Sequence, residues 1–199
     1  GDQPSLVVPG EGTWAYNPTT GVADFTPEAT YKLDPTPIVY KLTETATGKS
    51  DTAMLYADYV PKSVNDTANF NGSPVTVNVT TNDLGGDTVD PTTVKLVDPA
   101  NPTVPATSVT VPGEGTWTVN PTTGAVTFTP EPGFVGSPTP IDYKVKDNDG
   151  NETTSKIILI AAPIANSDSV TGVPVGTVAS LGSILTDDKK GDGTTPTLA

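Results

Sequence analysis

Three residue types are missing from this sequence of 199 residues: cysteine, histidine and arginine. Without cysteine and histidine, zinc and most transition metals lack their usual thiolate and imidazole ligands. Neither a cysteine nucleophile nor a serine–histidine–aspartate triad can be assembled. No disulfide can support the fold, which therefore has to be held by packing alone. We accordingly expect a protein that is not an enzyme and has no catalytic residue.

Positive charge is scarce as well. The ten basic residues are all lysine and stand against 23 acidic ones, so that the net charge is −13. Such a chain repels phosphate groups, and we expect no nucleic-acid partner and no binding to an anionic membrane surface. No run of eighteen apolar residues occurs, so we expect no insertion into a membrane. Because Gly1 is not a natural start, we expect a segment of a longer protein.

The residues that are present have a β pattern. Hydrophobic residues make up only 34% of the chain, beside 19 glycines and 21 prolines, a composition close to that of disordered proteins. Threonine and valine dominate, however, and both are β-branched residues that suit half-buried strands. Turn signals recur about every 8–12 residues, which is typical of a β-sandwich. The predicted fold class is all-β, with tandem immunoglobulin-like sandwiches.

An internal duplication organises the chain. Residues 9–43 and 112–146 align without gaps, 103 residues apart, and are identical at 21 of 35 positions. A period of that length corresponds to one whole sandwich domain. We therefore predict the C-terminal part of one repeat at 1–60, a complete repeat at 61–163 and the N-terminal part of the next repeat at 164–199.

Alternation of apolar and polar residues predicts about seven strands in the complete repeat. They are expected at 74–80, 93–97, 107–111, 115–119, 125–129, 140–146 and 153–161.

The most strongly repeated stretch, VPGEGTWTVNPTTGAVTFTP at 111–130, is predicted to be a hairpin. Alternation places Trp117 and Val119 on one face of its first strand, and Val126 and Phe128 on one face of its second. The Asn-Pro-Thr-Thr-Gly segment supplies the turn, because proline presets φ and glycine tolerates positive φ. The turn residues predicted in the two copies are Asn17, Pro18, Gly21, Asn120, Pro121 and Gly124.

The two tryptophans have two interpretations. Trp14 and Trp117 are predicted to lie in the core, because apolar residues alternate around them; stacking on sugars in a binding groove is the alternative. The hydroxyl of Tyr143 is predicted to bind the backbone near the loop that precedes it, as in the tyrosine corner of immunoglobulin-like sandwiches. The predicted core consists of Trp14, Phe25, Tyr40, Trp117, Val119, Val126, Phe128, Phe134 and Tyr143.

Three groups of acidic residues resemble parts of calcium sites. In the first, DNDGNE at 147–152, the alternative is a β-turn that uses aspartate, asparagine and glycine for turn chemistry. The turn is favoured, because the corresponding ETATG at 44–48 lacks these acids. We therefore expect no metal and no cofactor, with calcium left open as the alternative. The other two groups are Asn82, Asp83, Asp87 and Asp90, and Asp187, Asp188 and Asp192.

The string VPGEGTWTVNPTTGAVTFTPEPGFVGSPTPIDYKVKDNDGN resembles the CshA-type fibril repeat, which occurs in tandem in very large bacterial surface proteins. The resemblance implies an extracellular stalk on the bacterial cell surface that spaces a distal binding domain from the cell. The partners it implies are neighbouring repeats, with adjacent segments completing the partial repeats at both ends. The rival hypothesis is that the repeats themselves bind a glycan or protein.

Overall fold

A computed structural model of the chain describes residues 3–191, 194 and 196–197. These residues form fourteen β-strands in four sheets, and among them no helix is long and apolar enough to cross a membrane. The sequence-based prediction of an all-β fold is confirmed.

The strands fall into two groups along the chain. Residues 5–55 carry β1 to β5, which we call the first unit, and residues 66–161 carry β6 to β14, which we call the sandwich. The strands are β1 Ser5–Val8, β2 Gly12–Tyr16, β3 Ala23–Pro27, β4 Ile38–Thr43, β5 Ser50–Leu55, β6 Asp66–Phe70, β7 Val75–Val77, β8 Val89–Val97, β9 Pro105–Ala106, β10 Ser108–Val111, β11 Gly115–Val119, β12 Val126–Pro130, β13 Ile141–Asp147 and β14 Glu152–Ala161.

The sandwich has two sheets around one core. One sheet has the order β10-β11-β12-β7 and the other the order β6-β14-β13-β8-β9. Inward-facing residues of both sheets meet in a single cluster, in which the largest fully buried side chains are those of Trp117, Tyr143, Phe70 and Phe128. Alternate residues along β13 are buried, as expected for a strand with one face on a core.

The sandwich has nine strands, and the prediction of about seven missed two of them. β6 and β9 were not anticipated, because Asp-Thr-Ala-Asn-Phe has little β-branched or apolar character and β9 has only two residues. β6 is recognisable only from its partner, since it pairs in parallel with β14, about 90 residues further along the chain.

The duplicated stretch forms a hairpin in both copies. In the sandwich, Trp117 pairs with Phe128 and Val119 with Val126, and the Trp117 and Phe128 rings lie 4.7 Å apart. The Asn120 side chain accepts hydrogen bonds from the backbone N–H groups of the two threonines after Pro121, and Gly124 has a φ of 70°. The turn around Asn17 in the first unit has the same two hydrogen bonds.

Gly124 is required for two separate reasons. Its φ is positive, and an added Cβ would lie 2.5 Å from the Pro91 carbonyl oxygen and 2.9 Å from a Val94 methyl group. Gly113 in the same sandwich also has a positive φ, but an added Cβ there would meet nothing within 4 Å. Gly113→Ala is therefore expected to destabilise by about 1 kcal/mol through backbone strain alone. Gly124→Ala adds a steric clash, and we expect a total of about 3 kcal/mol. Chemical denaturation of the two variants measures the difference, and equal losses would contradict the packing argument.

The first unit has two sheets but no counterparts of β6 to β9. β1-β2-β3 form one sheet and β4-β5 another. Trp14 is buried against Phe25, with ring centroids 5.1 Å apart, and Phe25 is half-buried. Tyr40 differs from the prediction that placed it in the core, because it is 39% exposed. Its counterpart Tyr143 is fully buried, and its hydroxyl is bonded to Val79 and Asp83, which lie between β7 and β8 in a part of the sandwich that has no counterpart in the first unit.

Candidate functional site

The first unit and the sandwich meet at a closely packed joint, which we call the first joint. Its backbone contact runs between residues 60–62 and 85–86, where the Lys62 N–H donates to the Gly85 carbonyl oxygen at 2.5 Å. A side chain at Gly86 could not be accommodated, because an added Cβ would lie 2.1 Å from the Val60 carbonyl oxygen. A cleft of about 230 Å³ opens beside this contact, between Lys32 and Leu33 on one side and Leu84 on the other.

A second joint repeats this arrangement about one period later. Ile164 and Lys189 exchange backbone hydrogen bonds of 2.8 and 2.9 Å. An added Cβ at Gly191 would lie 2.1 Å from the Ala161 carbonyl oxygen. The Asn166 N–H donates to the Asp188 carboxylate at 2.7 Å, just as the Val64 N–H donates to Asp83 at 2.7 Å in the sandwich. Consecutive units are thus docked in the same way.

Three carboxylates converge at the first joint. One oxygen each of Asp34, Asp58 and Asp149 lies within 4.8 Å of the others. Asp34 precedes β4, Asp58 follows β5 and Asp149 lies in the β13–β14 turn, so the cluster joins three separate segments. The Tyr59 N–H donates to Asp34 at 2.6 Å, and the Asn151 amide donates to Asp58 at 2.7 Å, which fixes two of the carboxylates.

The turn that carries Asp149 is organised by Asp147. One Asp147 carboxylate oxygen accepts hydrogen bonds from the N–H groups of Asp149, Gly150 and Asn151, at 3.0, 2.7 and 2.8 Å. This segment therefore forms a turn. Asp147 itself is only 3% exposed, and its other carboxylate oxygen is buried without a hydrogen-bond partner. Desolvation, and then the charges of Asp34 and Asp58, raise the pKa of Asp149; the charge of Asp147 adds to this effect.

A second group of polar residues is buried inside the sandwich. The Tyr143 hydroxyl lies 2.9 Å from the Asp83 carboxylate and 3.0 Å from the Val79 carbonyl oxygen. The prediction that Tyr143 binds the loop before it is wrong, because both partners precede it by 60 residues or more. Asp66 is also buried there, and burial raises its pKa to about 6. Burial likewise raises the pKa of Asp83.

The remaining residues of the three acidic groups form hydrogen bonds within the protein, some in local turns and others with more distant segments. The Asp87 and Asp90 carboxylates accept hydrogen bonds from the N–H groups of Thr88 and Thr92. The Asn82 amide donates to the Asn65 carbonyl oxygen at 3.3 Å. Near the second joint, the Asp187 carbonyl oxygen accepts a hydrogen bond from the Asn166 amide. Asp192 lies outside the described residues.

The aromatic and turn residues predicted from sequence do not form a ligand groove. Of the predicted core set, Trp14, Trp117, Val119, Val126, Phe128 and Tyr143 are buried, and Phe25 and Phe134 are half-buried. The six turn residues lie in the two hairpin turns. Sequence reasoning missed Asp34 and Asp58, because each is a single acid without a recognisable motif around it.

Comparison with known proteins agrees with this architecture of docked β units. The family model for the repetitive domain of the surface adhesin CshA matches residues 58–158, slightly more than half of the chain. No curated protein matches the chain, and no solved structure does. The matched residues begin at the first joint and include eight of the nine strands of the sandwich in full and most of the ninth. The chain belongs to the family of surface adhesin CshA repetitive domains.

Proposed function

We propose that this chain is a structural segment of a long extracellular stalk on a bacterial surface, which holds a distal binding domain away from the cell. The observation that supports this most strongly is the repetition of the joint. The backbone contacts at residues 60–62 and 85–86 recur at 161–164 and 189–191. At each joint the backbone of one segment lies so close to a glycine that no side chain would fit between them. One unit therefore has little freedom to slide against the next.

Charge and composition support the same function. Each joint contains a proline, Pro61 or Pro163, which restricts the backbone where the units connect. The net charge of −13 opposes association between neighbouring stalks. A spacer needs only stiffness and solubility, and neither requires a catalytic group.

The exposed aromatic residues of the first unit do not by themselves favour the rival hypothesis of a ligand site. Tyr16, Tyr40 and Tyr56 are exposed. One period later the positions of Tyr16 and Tyr40 are Val119 and Tyr143, which are buried in the sandwich core, and the position of Tyr56 is Ile158, which is half-buried. We propose that an adjacent segment of the same protein, the N-terminal half of this first repeat, covers the first unit, as β6 to β9 cover the equivalent residues here. The corresponding partner for residues 164–199 is the C-terminal half of the repeat that they begin.

The proposal predicts that the repeats have no ligand of their own. Residues 1–199 and the isolated sandwich, 61–163, should show no saturable binding to a glycan array or to immobilised host surface proteins. The sandwich serves as the matched control, because it buries the aromatic positions that the first unit exposes. Saturable binding by both proteins would contradict the spacer function and support the rival hypothesis. Binding by 1–199 alone would assign the activity to the exposed face of the first unit.

A further inference from the structure

We propose that the first joint is a calcium site, formed by Asp34, Asp58 and Asp149 next to the turn that the buried carboxylate of Asp147 organises, and that the bound ion stiffens the connection between the first unit and the sandwich. The proposal deepens the stalk function and rests on it for its second part. It also replaces the expectation, made from sequence, that the DNDGN segment serves only as a turn.

The geometry fits a calcium ion. Calcium binds carboxylate oxygens at about 2.3–2.6 Å, so two oxygens on one ion can be separated by up to about 5 Å. The three oxygens at the joint lie within 4.8 Å of one another. Magnesium usually keeps several of its waters and is bound by one or two carboxylates, so a group of three carboxylates favours calcium. Asp58 and Asp149 are exposed, so water can complete the six to eight ligands that calcium takes.

The charges at the joint lack compensation within the protein. Three carboxylates this close repel one another, and the two ion pairs of the described part of the chain, Lys144–Glu152 and Lys156–Asp142, include none of them. The hydrogen bonds from Tyr59 and Asn151 orient the carboxylates but do not neutralise them. A divalent cation would remove this repulsion.

Asp147 is the independent observation that points to an ion. It is 97% buried, and its second carboxylate oxygen has no hydrogen-bond partner. Its first oxygen accepts a hydrogen bond from the Asp149 N–H at 3.0 Å, and its charge acts on the Asp149 carboxylate, so the buried carboxylate lies next to the cluster. A buried carboxylate oxygen left unpaired is strongly unfavourable, and a cation beside it offsets that penalty. The turn thus contributes one exposed ligand and one buried negative charge.

The chain contains its own comparison. At the second joint the positions equivalent to Asp34 and Asp58 are Ser137 and Ile160, because the turn between β13 and β14 is one residue shorter than the turn between β4 and β5. There the Ser137 hydroxyl accepts a hydrogen bond from the Ala161 N–H at 2.9 Å, a neutral contact between the two segments. The backbone docking is common to both joints, whereas the carboxylates belong to the first. Calcium dependence is therefore expected to be specific to the first joint.

The first experiment measures binding of calcium alone to residues 1–199 after treatment with a chelator. Isothermal titration should show one ion with a Kd of about 10⁻⁴–10⁻³ M, the range of extracellular calcium modules. Asp149→Asn should weaken this binding at least tenfold, and Asp34→Ser with Asp58→Ala, which removes two of the three carboxylates, should abolish it. The control Asp98→Asn makes the same charge change at the far end of β8, nine residues from the joint end, and should leave the Kd unchanged.

The second experiment measures the stiffness of the joint. The sequence has no cysteine, so spin labels can be attached specifically at Val7→Cys and Thr118→Cys, both exposed positions on either side of the joint. Calcium should narrow the distribution of distances between the two labels in the parent chain and not in Asp149→Asn.

No binding up to 10 mM calcium, or equal binding by Asp149→Asn and Asp98→Asn, would overturn the site. Binding without narrowing would overturn the stiffening role. Neither of these results would change the outcome of the ligand screen, which tests the spacer function separately.

Discussion

Trp117→Ala is expected to destabilise the sandwich by about 3–5 kcal/mol, the usual range for removing a core aromatic side chain. Trp117 is fully buried and pairs with Phe128 across the hairpin, and the centroids of the two rings lie 4.7 Å apart. Its indole nitrogen is buried without a hydrogen-bond partner. The substitution therefore leaves no polar partner unsatisfied, and the loss comes from packing.

Urea unfolding of residues 61–163, followed by circular dichroism, measures this effect. Thr118→Ala is the control, because Thr118 is the next residue of the same strand and is exposed; its effect should stay within about 0.5 kcal/mol. A Trp117→Ala variant of unchanged stability that had lost binding to a sugar would place Trp117 in a surface site instead.

The hairpin could be predicted from sequence because everything that determines it is local. Asn120 and Gly124 lie within five residues of each other, and each acts on the backbone of the turn that contains it. Alternation then decides which side chains of β11 and β12 face the core. The duplication added a second copy of the same local information, from which the period and the repeat architecture follow.

The candidate calcium site could not be predicted in the same way, because its parts are distant in the chain. Asp34 and Asp149 are 115 residues apart, and only docking of the first unit on the sandwich brings them together. The sequence analysis found the turn at 147–152, which resembles only part of a calcium site. The other oxygens of the proposed site belong to the first unit. The partners of Tyr143 were missed for the same reason, since Asp83 lies 60 residues earlier.

The buried pair of Asp66 and Asp83 leads to a prediction about pH. Asp66 is 6% exposed, and burial raises its pKa from 3.8 to about 6, with a smaller contribution from the charge of Asp83. The folded state therefore holds this proton more tightly than the unfolded state does. The stabilisation is fully present below about pH 4 and is lost as the pH rises through 6. A shift of about two pKa units corresponds to about 3 kcal/mol between pH 3 and pH 7.

The other aspartates and glutamates of the chain also titrate in this interval, so the effect of Asp66 has to be isolated by comparison. Asp66→Asn keeps the shape of the side chain but carries no charge at any pH. The free energy of unfolding of the parent sandwich, minus that of Asp66→Asn, should fall by about 3 kcal/mol from pH 3 to pH 7, with most of the change between pH 4 and 6. The same difference taken with Asp98→Asn, which lies outside the buried pair, should show no such fall.

The prediction would be contradicted if the difference between the parent and Asp66→Asn stayed constant or rose with pH. Such a result would mean that Asp66 is ionised in the folded sandwich without penalty. That result would require a compensating donor or cation beside its buried carboxylate oxygen, which has no hydrogen-bond partner in this structure.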